Sequence, residues 1–517
     1  MAASRGPVTS HGSRATYSAL GTGLLICCAL VAGCAVAPDR DYRADPNEAC
    51  REVFRRVDRA VAGAGVRDGM TARVDGFPYL RVNRFLASYA PEDMTDAQFA
   101  AWMNRMIALG RQAHEVEIAN LPLDASEALG HALWDIDRRL AWPVKAVADC
   151  TVRLAAADFG DPARRGALRL AARVPDDYRT WQRVAGLYWL TRVPFAGGIR
   201  AWQDDVRAVF ARPPDALPTS GRLVAYWPPP RVRQLPVEGI MRRAAGDPLG
   251  IPEPSGADLE LLFRAHAPVF LVDTAGDADV PGELGWGPDG LPRVVSRRPV
   301  VYRRVSHARY DGRALLQLNY AIWFPERPAG SGWDILGGRL DAVMWRVTLA
   351  PDGRPWVYDS MHACGCYHQF FPTARAAVRP APGSLDEGAF VPQALPRVEA
   401  GEPVAVRIAS GTHYLQRVIV GAGGNGVSGF EYIFEDDDVL RSIPLPGGGR
   451  RSLFRPDGIV PGTERGERWL FWPMGVPEPG AMRQWGRHAT AFVGRRHFDD
   501  PNLLERYFTL KGVNGER

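Results

Sequence analysis

Residues 211–257 are punctuated by Pro213, Pro214, Pro228, Pro229, Pro230, Pro236, Pro248, Pro252 and Pro254. Proline lacks an amide hydrogen and clashes with the preceding turn, so no long helix runs through such a segment. The chain must be built as two parts that meet there, and hydrophobic periodicity differs on the two sides. Upstream, Asp45-Pro46-Asn47-Glu48 reads as a helix start with Cys50, Val53, Phe54, Val57 and Val61 following at helical spacing. Thr95-Asp96-Ala97-Gln98 opens a second helix, Leu129 to Cys150 an interrupted third, and Asp176–Asp177 a fourth. Downstream, alternation such as Trp345-Arg346-Val347-Thr348-Leu349 predicts strands, and Ala350-Pro351-Asp352-Gly353-Arg354 a hairpin turn. Strands are also predicted over 268–273, 300–309, 315–324, 362–371, 404–410, 414–420, 430–434 and 469–472. The expected fold class is therefore α+β. A helical domain spans 45–210, a Pro-rich crossing segment 211–257, and a mainly antiparallel, sandwich-like β-rich domain 258–517.

The chain has 517 residues and a net charge of +5, and Lys occurs only at 145 and 511 among its 63 basic residues. With no Lys/Arg block, zinc finger or RNP-like motif, nucleic acid is excluded as a partner. The start of the chain has the pattern of an export signal: Arg5 and Arg14 precede an apolar run from Ala19 to Ala32 that is too short to span a bilayer as a helix. Leu30-Val31-Ala32-Gly33-Cys34 resembles the bacterial lipobox. That resemblance implies a signal peptide over 1–33, lipidation of Cys34, a tether over 34–44 and, with Ala35 after the cysteine, the periplasmic side of an outer membrane. The implied partner is a membrane, reached through the N-terminal lipid. Stretches such as Leu316 to Phe324, His362 to Phe371 and Gly411 to Gln416 resemble an exported family of proteobacterial type, a resemblance that implies no activity.

Export makes the compartment oxidising, and Cys50, Cys150, Cys364 and Cys366 are then candidate disulfide partners. Cys50–Cys150 is the expected pair, since both lie on helices of one region. Cys364 and Cys366 belong to the densest cluster of reactive side chains, His362-Ala363-Cys364-Gly365-Cys366-Tyr367-His368. Alternate residues of a strand lie about 6.6 Å apart, so four such ligands span far more than one metal's coordination shell. Gly365 is the escape, because glycine tolerates a sharp bend. Three readings stay open: a cysteine bridge, a divalent metal held by His362 or His368 with His413 or an acid, and inert packing. The catalytic candidates are His362, His368, His413 and Asp359, with Asp341 as another acidic partner; the metal candidates are His362, His368 and His413. Gly186 to Phe195, aromatic and broken by Pro194, reads as a membrane- or partner-facing segment or as a kinked core helix. Two functions remain. One is an envelope protein that binds a protein or glycan through its aromatic β domain. The other is an envelope hydrolase or metal-dependent enzyme with a His/Cys site in that domain. Convergence of His362 or His368 with His413 in a concave pocket would favour the second.

Overall fold

The computed structural model describes residues 45–230, 236–330, 334–380, 385–421 and 426–511. The expected signal peptide, Cys34 and the tether lie outside the described residues. Asp45 caps α1 (Pro46–Gly63) by accepting from the amides of Asn47 and Glu48. A hairpin of β1 (Ala72–Val74) and β2 (Phe77–Val82) leads to α2 (Arg84–Ala87). Thr95 and Gln98 form a reciprocal capping box at α3 (Asp96–Ala119). The helices α4 (Leu123–Trp134), α5 (Pro143–Gly160) and α6 (Pro162–Ala171) complete a bundle whose core joins Val53, Phe54, Trp102, Met106, Leu133 and Leu154. Cys50 on α1 and Cys150 on α5 are disulfide-bonded, the expected pair.

Two further helices, α7 (Thr180–Ala185) and α8 (Tyr188–Phe210), leave that bundle. Val206 and Phe210 at the end of α8 are instead buried in the core of the β region. The Pro-rich segment belongs there too. Its β3 (Arg222–Trp227) pairs antiparallel with β4 (Val269–Thr274), and α9 (Val237–Ala244) adds Val237, Ile240 and Met241 to the same core; α10 (Gly256–His266) follows it. The boundaries expected at 210/211 and 257/258 therefore do not coincide with boundaries of packing. Prolines delimit β3 without entering it, and the apolar run Leu223 to Trp227 is long enough to pair.

The β region continues with a hairpin of β5 (Glu283–Trp286) and β6 (Pro292–Ser296) and the long strands β7 (Val300–Tyr310), β8 (Arg313–Arg327), β9 (Gly338–Leu349) and β10 (Pro355–His362). Then come β11 (Gln369–Pro372), β12 (Ala376–Val378), β13 (Val404–Ile408), β14 (Leu415–Val420), β15 (Gly429–Glu431) and β16 (Ile433–Asp436). A six-stranded sheet has the order β11-β10-β9-β8-β7-β16, antiparallel except for β16 against β7. A five-stranded mixed sheet has the order β14-β13-β4-β3-β15. Leu316, Leu318, Val343 and Trp345 of the first share one buried cluster with Val224, Phe270, Val272 and Val406 of the second, so the sheets pack face to face. The fold is α+β, with helices concentrated in the first half and antiparallel-rich sheets later.

Two predicted strands are corrected. Residues 363–368 turn rather than extend, because Gly365 and Tyr367 both have positive φ, +92° and +61°. Residues 469–472 form the end of a short helix, α11 (Arg468–Phe471), and the start of a 3-10 turn (Trp472–Met474). A short apolar run without alternation suits either state, and this one has no strand to pair with. Among the described residues no helix is long and apolar enough to cross a membrane.

Candidate functional site

Strand pairing decides which candidate residues meet. In β9 and β10, His362 lies opposite Val343 and Asp359 opposite Arg346. Since side chains alternate, Asp341 and His362 project from one face of the sheet while Asp359 and Arg346 project from the other. The His362–His368 cluster is thereby split between two buried acids.

Asp341 anchors the first group. His362 Nδ1 donates to its Oδ1 at 3.2 Å and His413 Nδ1 to its Oδ2 at 3.0 Å, and Arg465 Nη2 lies 3.6 Å away. His413 Nε2 is 3.5 Å from Asp279, whose carboxylate also accepts from the amides of Ala275, Gly276 and Gly411 and from Ser410 Oγ. His413 stacks on Phe324 with ring centroids 4.0 Å apart and planes 7° apart, in a left-handed conformation at φ +53°. Leu340, beside Asp341, is also left-handed. Burial opposes the charge on Asp341, yet His362, Arg465 and His413 outweigh it and hold the carboxyl well below its usual range. Burial likewise pulls His413 down, but its bonds to Asp279 and Asp341 win and raise it. Burial dominates at His362, which is lowered. The two histidines on Asp341 thus shift in opposite directions, His413 up and His362 down.

Asp359 anchors the second group. Arg346 grips it with two bonds of 2.9 and 2.5 Å, and His368 Nε2 donates to it at 2.8 Å. Burial drives His368 down to about 4, so it is neutral at pH 7. His362 and His413 thus meet through Asp341 but do not line a cavity, while His368 lines one but sits on Asp359, apart from His413. No group of three or more His, Cys, Asp or Glu among the described residues is arranged to hold a metal ion. His362 and His413 are 2% and 0% exposed, so neither offers an accessible base.

What is accessible lies next to them. A cavity of about 470 Å³ opens between α8 and the end of the six-stranded sheet. Pro194, Phe195, Ile199 and Trp202 of α8 form one wall, and Leu470, Phe471 and Phe492 another. Cys364, Cys366, Tyr367, Tyr414 and Glu467 supply its polar side. Tyr367 and Tyr414 stand edge to face at 4.6 Å and separate the cavity from the His362 ring, with Arg327 donating to Tyr414 Oη at 3.3 Å. Burial lifts Glu467 to about 7 against the pull of Arg465 and Arg327, so this acid is half protonated at neutral pH.

Gly365 bends the chain as its chemistry predicts, but Cys364 and Cys366 are not bridged; both are thiols. Of the three readings left open, a bridge between these two cysteines is therefore not the one found. The turn is held by Gly365 N–H to the His362 carbonyl and His362 N–H to the Cys366 carbonyl, and it sets the two side chains next to each other. A Cβ at residue 365 would sit 2.5 Å from the Ala489 carbonyl oxygen, so only glycine fits. Asp279, Arg465 and Glu467 carry no local sequence signal, because they sit in loops and short turns, whereas Pro194 and Phe195 of the α8 wall end the aromatic stretch already singled out. The Tyr414 ring likewise follows His413 in a stretch already singled out. No family profile, curated protein or solved structure matches this chain.

Proposed function

We propose that the protein is an exported lipoprotein, anchored through Cys34 at the periplasmic side of an outer membrane, that binds an apolar ligand in the cavity between α8 and the β sandwich. The cavity carries this reading. Its volume falls within the roughly 300–1,000 Å³ of small-molecule sites, and its wall is aromatic and aliphatic with polar groups at one side. The surroundings support it. Trp181 and Val184 on α7, Trp189, Leu190 and Val193 on α8, and Trp469 on α11 are all more than half exposed. These segments adjoin, since Gly186 packs on Pro473 and Phe195 on Phe471. Apolar exposure gathered around a cavity mouth marks an interaction face, and tryptophan suits the boundary between water and lipid. On this reading a lipid surface delivers the ligand, and the N-terminal lipid keeps the mouth near it.

Gly198 tests the proposal. It lines the cavity, and a Cβ there meets no atom within 4 Å. Gly198→Phe fills the space and also removes a helix-interior glycine, a change worth up to about 1 kcal/mol in favour of the helix. A fluorescent fatty-acid analogue is expected to bind the wild type saturably and to quench Trp202. Gly198→Phe should weaken binding at least about tenfold, equal to about 1.4 kcal/mol, with thermal unfolding no lower than that of the wild type. Absence of saturable binding, or equal binding by the variant, sinks the cavity reading.

A further inference from the structure

The polar side of the cavity carries chemistry that holding an apolar ligand does not need. Outside the Cys50–Cys150 bridge, Cys364 and Cys366 are the cysteines of the described residues, and both face the cavity. The left-handed Gly365 brings them side by side. The Cys366 amide points at Cys364 Sγ at 3.4 Å, and the Cys366 thiol hydrogen-bonds the same sulfur. The turn is fixed from outside as well, because Arg483 Nε donates to the Cys364 carbonyl at 3.1 Å and Arg483 N–H to the Ala363 carbonyl at 2.9 Å. The hydrogen bond from Cys366, and then the charge of Arg465, favour the thiolate of Cys364 against its burial, while Cys366 keeps the proton. A paired, pre-positioned dithiol with one sulfur held as the better nucleophile is the arrangement that thiol–disulfide exchange requires. A buried cysteine kept only for packing needs neither a partner thiol nor an opening.

We propose that Cys364 and Cys366 form a dithiol–disulfide couple that exchanges with a disulfide-bearing ligand entering the cavity. Cys364 Sγ attacks one sulfur of the ligand R–S–S–R′. The ligand S–S bond breaks, a Cys364–S–S–R bond forms, and R′S⁻ leaves and takes up the proton displaced from Cys364. Cys366, losing its proton, then attacks the Cys364 sulfur. The mixed disulfide breaks, the Cys364–Cys366 bond forms, and RS⁻ leaves as RSH. Two electrons pass from the protein dithiol to the ligand, which is reduced to two thiols. A reduced dithiol supplied from outside returns the couple by the same steps reversed. The cavity serves here as the route of access, so the proposal stands whether or not an acyl-type ligand binds there.

The test uses full-length protein and dithiobis(nitrobenzoate), an aromatic disulfide of a size the cavity admits, with peptide mapping by mass spectrometry to isolate the 364–366 segment from the N-terminal cysteines. Wild type is expected to yield an internal Cys364–Cys366 bridge with no retained adduct. Cys366→Ser should stop at a stable mixed disulfide on Cys364, and Cys364→Ser should react on the order of tenfold more slowly. Gly198→Phe should slow the wild-type reaction by blocking the route. Separate adducts on both cysteines, or a 364–366 segment that remains a dithiol under conditions that modify the unfolded chain, overturns the proposal. Exchange that proceeds in a protein unable to bind the fatty-acid analogue refutes the apolar-ligand reading alone.

Discussion

Asp341→Ala is expected to destabilise the β region by about 3–5 kcal/mol, the range for removing one partner from a buried ionic network. Asp341 is fully buried and receives both His362 and His413, with Arg465 beside it. Its removal leaves the His413 ring with Asp279 alone and takes away the carboxylate beside Arg465. Two strained backbone positions, Leu340 and His413, lose the contacts that hold them in the left-handed region. Asp341→Asn keeps an acceptor but not the charge, and should fall between alanine and wild type. Denaturant unfolding followed by tryptophan fluorescence measures this, with the buried Trp345 as reporter in the same sheet. A change within about 0.5 kcal/mol, typical of surface substitutions, would show that the network does not brace the sheet.

How much of this was legible follows from what each element depends on. Local chemistry dictates α1 and α3, whose caps Asp45 and Thr95 make the predicted bonds, and the hairpin of β9 and β10, whose alternation and Pro-Asp-Gly turn agree. The bend at Gly365 was legible for the same reason. Partnership was not. Asp359 and His362 are three residues apart yet face opposite ways, and only the pairing with Arg346 and Val343 decides which acid each serves. Asp279 and Arg465 reach His413 and Asp341 from loops distant in sequence, and no periodicity places such residues. The aromatic stretch around Pro194 left two readings, a membrane- or partner-facing segment and a kinked core helix, because apolar content alone does not distinguish burial from an exposed cavity rim. The β3 strand was hidden by its prolines, which mark its ends.

Acid should unfold this protein while most carboxylates are still charged, because buried neutral histidines dominate its proton balance. Burial is the leading cause at each: His307, His368 and His488 are pushed down to about 4 and His114 to about 3. A histidine whose folded pKa lies below its unfolded value takes up a proton more readily when the chain unfolds. Its contribution is present above about 6.5 and is lost as the pH falls through the folded value. A shift from 6.5 to about 4 corresponds to about 3 kcal/mol at a fully buried group such as His368 or His488, and to less at His307, which is only half-buried beside an open pocket. His413 works in the other direction. Its raised value makes its contribution complete below about 6.5 and lost as pH rises through that value, so it does not oppose acid unfolding. Asp341, held low, begins to lose its contribution only below the ordinary carboxylate pKa of about 4. The expected result is a stability that falls between about pH 6.5 and 4, with a net proton uptake on unfolding of fewer than four per molecule, because Glu467, raised to about 7 by burial, gives up its proton when exposed. His307→Gln separates this from general acid damage. His307 Nε2 hydrogen-bonds the Pro252 carbonyl at 3.1 Å, and a glutamine amide can donate to that oxygen without titrating. The variant should be less stable at pH 7 but lose about one proton from the slope. Stability that stays level from pH 7 to 4.5 would mean that these histidines are hydrated or paired when folded, contrary to their burial.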